Sequence, residues 1–288
     1  MGLKKIVSAL LPKSKVKAIR YRYYMLHQRF HKPMSEEFFR NMLIQKFGVN
    51  RGDTLFIHSS IDFLNIDFSP IRLIHILMEV IGKDGTLVFP AWHIMERAEE
   101  YLCNENNIFD MKRSPSVLGL LPELARRMPG ACRSIHPINS IVAIGKNAED
   151  IVSAHECSIY PCGESSPYYK MLKYDAKIIG LGVNANFFSF VHCPEDIMKD
   201  EFPVQTRTEQ TYKGKVRLLS GEIIEVETLA AHKNIGHRNI PAYMGKYMSR
   251  DIYVAYKIRG CHFYVANANP LFHRMIELAK EGITIYNS

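Results

Sequence analysis

Apolar residues recur along this chain in two rhythms, and the rhythms alternate. After Ser35-Glu36-Glu37, residues Phe38, Phe39, Met42, Leu43 and Phe47 recur at helical spacing. Ser35 is placed to cap that helix, the two carboxylates suit the positive end of its dipole, and Gly48 is a stop. Short apolar runs at 54–58 (TLFIH), 86–89 (TLVF), 140–144 and 177–181 (KIIGL) predict strands. Between them, 70–81, 118–128 and 148–154 predict helices, with Ile74, Leu77, Met78 and Ile81 on one side of the first. Strands that are apolar throughout and alternate with helices predict a sheet covered on both faces.

The rhythm changes after about residue 200. Residues 204–212 and 215–226 alternate polar and apolar positions around a turn at Ser220-Gly221. They read as antiparallel strands at the sheet edge or in a small subdomain. A last strand at 263–268 and a last helix at 270–279 close the chain. The expected fold is α/β, layered α/β/α, with a largely parallel central sheet and antiparallel strands added in the C-terminal third. With no internal repeat and no polar linker, 34–288 reads as one domain behind an arm of residues 1–33.

Charge changes this picture less than its total suggests. The formal net charge is +8, but the first 35 residues carry nine Lys and Arg and no acid. The body is therefore close to neutral, and the basicity belongs to the arm, where Tyr21, Tyr23, Tyr24 and Phe30 interleave with the charges. The arm could touch a membrane surface or a nucleic acid, or pack on the body with its basic face in water. No other nucleic-acid motif supports the second, so no nucleic-acid partner is expected. The six cysteines form no C-x-x-C pair and no zinc spacing, which predicts reduced thiols in the cytoplasm. The apolar run 6–11 is too short for a signal peptide or a membrane span.

Candidate chemistry gathers after the strand at 177–181, at Ser189-Phe190-Val191-His192-Cys193-Pro194-Glu195. Doubly wound folds place sites at such strand ends. On a helical turn, residues three apart share a face, so Ser189, His192 and Glu195 form a row. A carboxylate beside an imidazole fixes its tautomer and makes a general base. A surface hydrogen bond would use the same spacing. Cys193, an i,i+1 neighbour of His192, points elsewhere and is not read as a nucleophile. Further polar groups stand at strand ends and turns: His58-Ser59-Ser60, Arg133-Ser134-Ile135-His136-Pro137, and Gly163-Glu164-Ser165-Ser166-Pro167. Helix caps, turns and an Arg–carbonyl bond are the plainer readings of these.

Taken in order, these segments resemble the aminoglycoside 3-N-acetyltransferase family, together with Gly85-Thr86-Leu87-Val88-Phe89-Pro90 and Ser114-Pro115-Ser116 with Gly119. The similarity runs from about Ser35 to about Pro203. It implies an α/β/α fold and a coenzyme A thioester as co-substrate, and no metal is expected because no ligands stand at a metal-motif spacing. It also implies that His192 and Glu195 take the proton of an attacking amine. His58, Ser59, Ser60, Arg133, Ser134 and His136 would then lie near the coenzyme. Glu164 would lie near the acceptor, with Ser166 and Trp92. Direct attack on the thioester carbonyl needs no covalent intermediate, and Ser189 or backbone N–H groups would stabilise the carbonyl oxygen.

The sequence departs from the family pattern at Pro90-Ala91-Trp92, where Ala replaces a usual Thr, and at Ser189, where Ser replaces Thr. Trp92, Phe187 and Phe188 would suit stacking on a base or a sugar face. The preferred acceptor is therefore the amine of a nucleotide-linked amino sugar, with an aminoglycoside antibiotic as the alternative. Peripheral membrane contact through 1–33 and a homodimer remain open. Two rivals stand further off. One is a metal hydrolase that adds His58, His93 or His136 to His192 and Glu195. The other is a non-catalytic binding protein.

Overall fold

The computed structural model describes residues 30–233 and 235–287, with Lys15, Ile19, Arg22 and Leu26. The remainder of the basic arm lies outside the described residues. Among the described residues, ten strands form two sheets. β1 (Thr54–Ser59), β2 (Thr86–Pro90), β4 (Cys132–Arg133), β5 (Ile141–Gly145), β6 (Lys177–Leu181), β9 (Tyr253–Ile258) and β10 (Cys261–Asn267) make a seven-stranded sheet in the order β4-β5-β2-β1-β6-β10-β9. Its centre is parallel: β1 pairs with β2 and with β6 in the same direction. Antiparallel strands extend it on both sides, β5 and β4 beyond β2, and β10 and β9 beyond β6.

Side-chain alternation along the central strands divides the core into two layers. Leu55 and Ile57 of β1, Leu87 and Phe89 of β2, and Ile179 and Leu181 of β6 face one way. There they meet Phe39 and Leu43, the helix Pro70–Ile81 and the helix Leu120–Arg126. Phe56, Val88 and Ile178 face the other way, against the helices Ile240–Tyr247 and Ala268–Lys280. The layered α/β/α expectation therefore describes the molecule. Ser35 caps its helix by accepting from the Phe38 N–H, and Ser69 caps Pro70–Ile81 from Arg72. Gly48 and Gly82 take positive φ where those helical segments end.

The second sheet differs in detail from the sequence reading. β7 (Arg207–Arg217) is one long strand, β8 (Ile223–Ala231) returns antiparallel to it, and β3 (Ile108–Asp110) joins parallel to β7. This is a separate sheet, which takes the small-subdomain alternative and not the edge of the main one. The helix Ala98–Cys103, β3, the helix Ile240–Tyr247 and β9 have no counterpart in the sequence reading. They are short or half-exposed, so their apolar periods are weak.

In the segment Arg133 to Pro137, expected near a coenzyme, the polar side chains bond to other parts of the fold. The Arg133 guanidinium donates to the carbonyls of Met111, Ser114 and Ala91 and to Ser140 Oγ, and lies over the Phe109 ring. Ser134 Oγ accepts from the Ile141 N–H (2.8 Å) and bonds His155 Nδ1 (2.9 Å). His136 Nδ1 accepts from the backbone N–H groups of Ile138 and Asn139. Ser134 and His136 are fully buried. Their polar atoms are consumed in joining the turn at 134–140 to its neighbours.

One glycine sits where a side chain could not. Gly180 lies between His58 of β1 and Tyr264 of β10, and a Cβ there would overlap the Tyr264 ring. Gly180→Ala should lower stability by about 1–3 kcal/mol through overpacking, read as a lower urea midpoint. An unchanged midpoint would mean the ring does not rest on Gly180. The framework histidines predict a pH effect. Burial lowers the pKa of His155 to about 4 and that of His136 well below its ordinary value. The unfolded chain therefore binds more protons below its ordinary histidine pKa. Stability should be full above about pH 6.5 and fall as pH drops toward 4, by about 1.4 kcal/mol per pH unit for each histidine. Urea midpoints at pH 7 and pH 5 check this, and equal midpoints would contradict it.

Candidate functional site

The site lies beyond the carboxyl ends of the parallel strands. β1 and β6 finish side by side, and the Ser60 N–H donates to the Leu181 carbonyl (2.9 Å). Gly182 then turns with φ +71°, and a Cβ there would stand 2.5 Å from the Ser60 carbonyl oxygen. The chain passes through two single-turn 3-10 segments, Ala185–Phe187 and Ser189–Val191, into the helix His192–Met198. Pro194 falls in its first turn, where a missing N–H costs nothing.

His192 and Glu195 meet as their spacing suggests. His192 Nδ1 lies 2.7 Å from Glu195 Oε2, so its N–H donates to the carboxylate. Glu195 is buried, and its other oxygen accepts from the Tyr286 hydroxyl at 3.0 Å. Burial first, and the Glu195 charge among the lesser causes, push the Tyr286 pKa up, so it remains a donor. With Nδ1 engaged, Nε2 holds the lone pair of a neutral ring. That nitrogen faces the Arg238 guanidinium, 2.9 Å away.

Ser189 does not join this pair directly. Its Oγ lies 2.8 Å from His58 Nε2, and its backbone N–H donates to the same nitrogen at 3.2 Å. His58 Nε2 is thus an acceptor, and the ring proton sits on Nδ1. Burial lowers the His58 pKa to about 3, so the ring is neutral. Ser189 Oγ therefore lies against His58 Nε2 and within 3.5 Å of the Tyr168 hydroxyl. His58 itself is packed among Phe56, Phe188 and Tyr264 and supports Ser189 instead of lining an open surface.

The other expected residues divide. Ser59 Oγ is buried with no partner at the end of β1, and Trp92 Nε1 is buried just past β2, where Trp92 hydrogen-bonds Tyr168. The Ser60 side chain is partly exposed. Ser166 is a buried helix cap that accepts from the Tyr169 N–H. Glu164 is exposed, 4.0 Å from Lys199 Nζ. Phe187 is exposed, but Phe188 is core, packed on Tyr253 and Tyr264. Cys193 is buried, and burial raises its thiol pKa.

The ligands of a metal site are scattered. His58 bonds Ser189, His93 bonds the Tyr101 hydroxyl (2.7 Å), and His136 bonds Thr228. Among the described residues, no three His, Cys, Asp or Glu side chains group to hold a metal ion. Also among them, no helix is long and apolar enough to cross a membrane. A cavity of ≈ 460 Å³ lies elsewhere, between the helix Ala98–Cys103 and β7–β8, and shares no lining residue with His192. Sequence reasoning missed Tyr286, Arg238 and the Asp196–Arg207 ion pair. Tyr286 and Arg238 lie far along the chain and belong to no motif. Asp196 carried one signal, a second acid beside Glu195 in an otherwise apolar turn.

The sequence model of a family described as aminoglycoside 3-N-acetyltransferase matches residues 56–279. The aminoglycoside N(3)-acetyltransferase IV of Salmonella sp. is 28% identical over 172 residues, which are 59% of this chain and 62% of that protein. The match thus spans less than two thirds of that relative. The crystal structure of aminoglycoside acetyltransferase AAC(3)-Xa superposes with a TM-score of 0.76 at 20% identity, covering 93% of this chain and 99% of that one. AAC-IIIb, solved as a binary complex with CoASH, superposes with a TM-score of 0.71 at 19% identity, covering 87% and 97%. These matches overturn the preference for a nucleotide-linked amino sugar and favour the aminoglycoside alternative. The structure removes part of that preference's basis as well, because Phe188 is in the core and cannot stack on a ligand. On a family match that spans most of its length, this chain belongs to the aminoglycoside 3-N-acetyltransferase family.

Proposed function

We propose that this protein transfers the acetyl group of acetyl-CoA to an amino group of an aminoglycoside, at the 3-position that gives the family its name. The observation that carries the reading is the His192–Glu195 pair, 2.7 Å apart with Glu195 buried and Nε2 directed outward. Family membership supports the donor and the acceptor class.

The roles follow from the geometry. A sugar ammonium must lose a proton to become a nucleophile, and His192 Nε2 carries the lone pair that would take it. Glu195 holds the ring by Nδ1 and stabilises the imidazolium that forms, while Tyr286 holds Glu195. The amine nitrogen bonds to the thioester carbon, the carbon–sulfur bond breaks, and the proton is free to pass to the sulfur. Ser59 fits the coenzyme, because its unpartnered buried O–H matches an amide group of a pantetheine arm. Arg133, Ser134 and His136 are assigned to the framework, and Ser189 with His58 to shaping the floor beside His192.

Release of free thiol from acetyl-CoA, measured against a panel of aminoglycosides, tests the reading. His192→Ala should lower kcat by roughly 10²–10⁴, and Glu195→Gln by a smaller factor, since it mainly orients the ring. A near-normal rate in His192→Ala removes that residue from the mechanism. No acceptor-dependent thiol from any aminoglycoside would sink the function itself.

A further inference from the structure

The atom that must accept the proton is already occupied. His192 Nε2 faces a guanidinium nitrogen of Arg238 at 2.9 Å. Arginine can only donate, and it stays charged at any ordinary pH. The contact therefore uses the one lone pair through which His192 could act as a base. A second donor, whether ammonium or water, cannot take that lone pair while Arg238 holds it.

The arrangement is braced from one short stretch of chain. The Asn239 N–H, next to Arg238, donates to the Ile285 carbonyl at 2.9 Å. The next residue, Tyr286, donates to Glu195 on the opposite side of the imidazole. Ile285 and Tyr286 thus anchor both flanks of His192. Among the described residues, no carboxylate forms an ion pair with Arg238, so its charge is not held away from the ring by another partner. Its side chain is exposed, on the connection that precedes the helix Ile240–Tyr247, and can swing into solvent.

We infer that Arg238 is a guard on the base: it holds His192 Nε2 in the free enzyme and yields only to the ammonium of a bound acceptor. This rests on the reading of His192 as the base. The exchange is one cation for another, so an acceptor that brings an amine to Nε2 replaces the interaction it displaces. Water brings no charge and replaces it poorly. The guard therefore suppresses the side reaction in which His192 takes a proton from water, hydroxide adds to the thioester carbon, the carbon–sulfur bond breaks, and acetate and free thiol form. It also raises the acceptor concentration needed for half-saturation, because the acceptor competes with Arg238.

The test measures thiol release from acetyl-CoA with and without aminoglycoside in the wild type, Arg238→Ala, Arg238→Lys and the double variant Arg238→Ala/His192→Ala. Arg238→Ala should raise acceptor-independent release about tenfold, the scale of one charge-assisted hydrogen bond, and lower the acceptor KM. Arg238→Lys should restore the guard in part, and the double variant should lose the added hydrolysis. Acceptor-independent release in Arg238→Ala within about twofold of wild type, or a raised acceptor KM, would overturn the guard and make Arg238 a ligand-binding residue. Added hydrolysis that survives in the double variant would overturn it as well. A wild type that transfers to no aminoglycoside would instead count against the proposed acceptor, while the hydrolysis arm still decides on Arg238.

Discussion

The site depends on one buried ion pair that takes no part in the chemistry. Asp196 is fully buried and accepts from Arg207 through both carboxylate oxygens, at 2.6 and 2.7 Å. One of those oxygens also accepts from the Cys162 N–H at 2.7 Å. Arg207 opens β7, so the pair fastens the helix His192–Met198 to the second sheet and to the turn at 160–163. A buried pair is weak evidence of net stability, but removing one partner leaves a charge without compensation, at about 3–5 kcal/mol. That penalty sets the position of a seven-residue helix too short to set its own.

Adjacent carboxylates on that helix divide the work. Asp196 turns inward and sets where the helix lies, while Glu195 faces His192 and sets which nitrogen of the imidazole carries the proton. Neither would serve alone. A base held in the right tautomer but displaced by an ångström loses much of its effect, because orientation is a large part of what a site supplies. The parallel strands contribute the floor. β1 brings His58 and Ser59, β6 brings the turn at Gly182, and the absent side chain at Gly180 makes room for Tyr264 beside His58.

Two imidazoles are used in opposite ways. His58 and His192 both accept at Nε2, but their surroundings differ. His58 is enclosed by aromatic rings and accepts from Ser189, so its lone pair is spent inside the protein. His192 keeps its lone pair at the surface, against an exposed arginine. Residue type alone does not distinguish these fates. Desolvation and the direction of neighbouring donors do.

The central strands, the helix Pro70–Ile81 and the final helix are legible in the sequence because each buries a whole face, and burial imposes a period. The His192–Glu195 pair is legible for a similar local reason, since residues three apart meet on any helical turn. The assignments of Arg133, Ser134, His136 and Ser166 could not be read there. Each is a polar residue at a turn, and only the folded chain decides whether its atoms meet a ligand or the carbonyls of a distant segment. Tyr286, Arg238 and Arg207 reach the site from 91, 46 and 11 positions away, and none is marked by spacing. The sequence determined which elements form and where the one short-range pair stands. The tertiary structure decided which polar groups are left free to react, because hydrogen-bond capacity is consumed by whichever partner packing brings within reach.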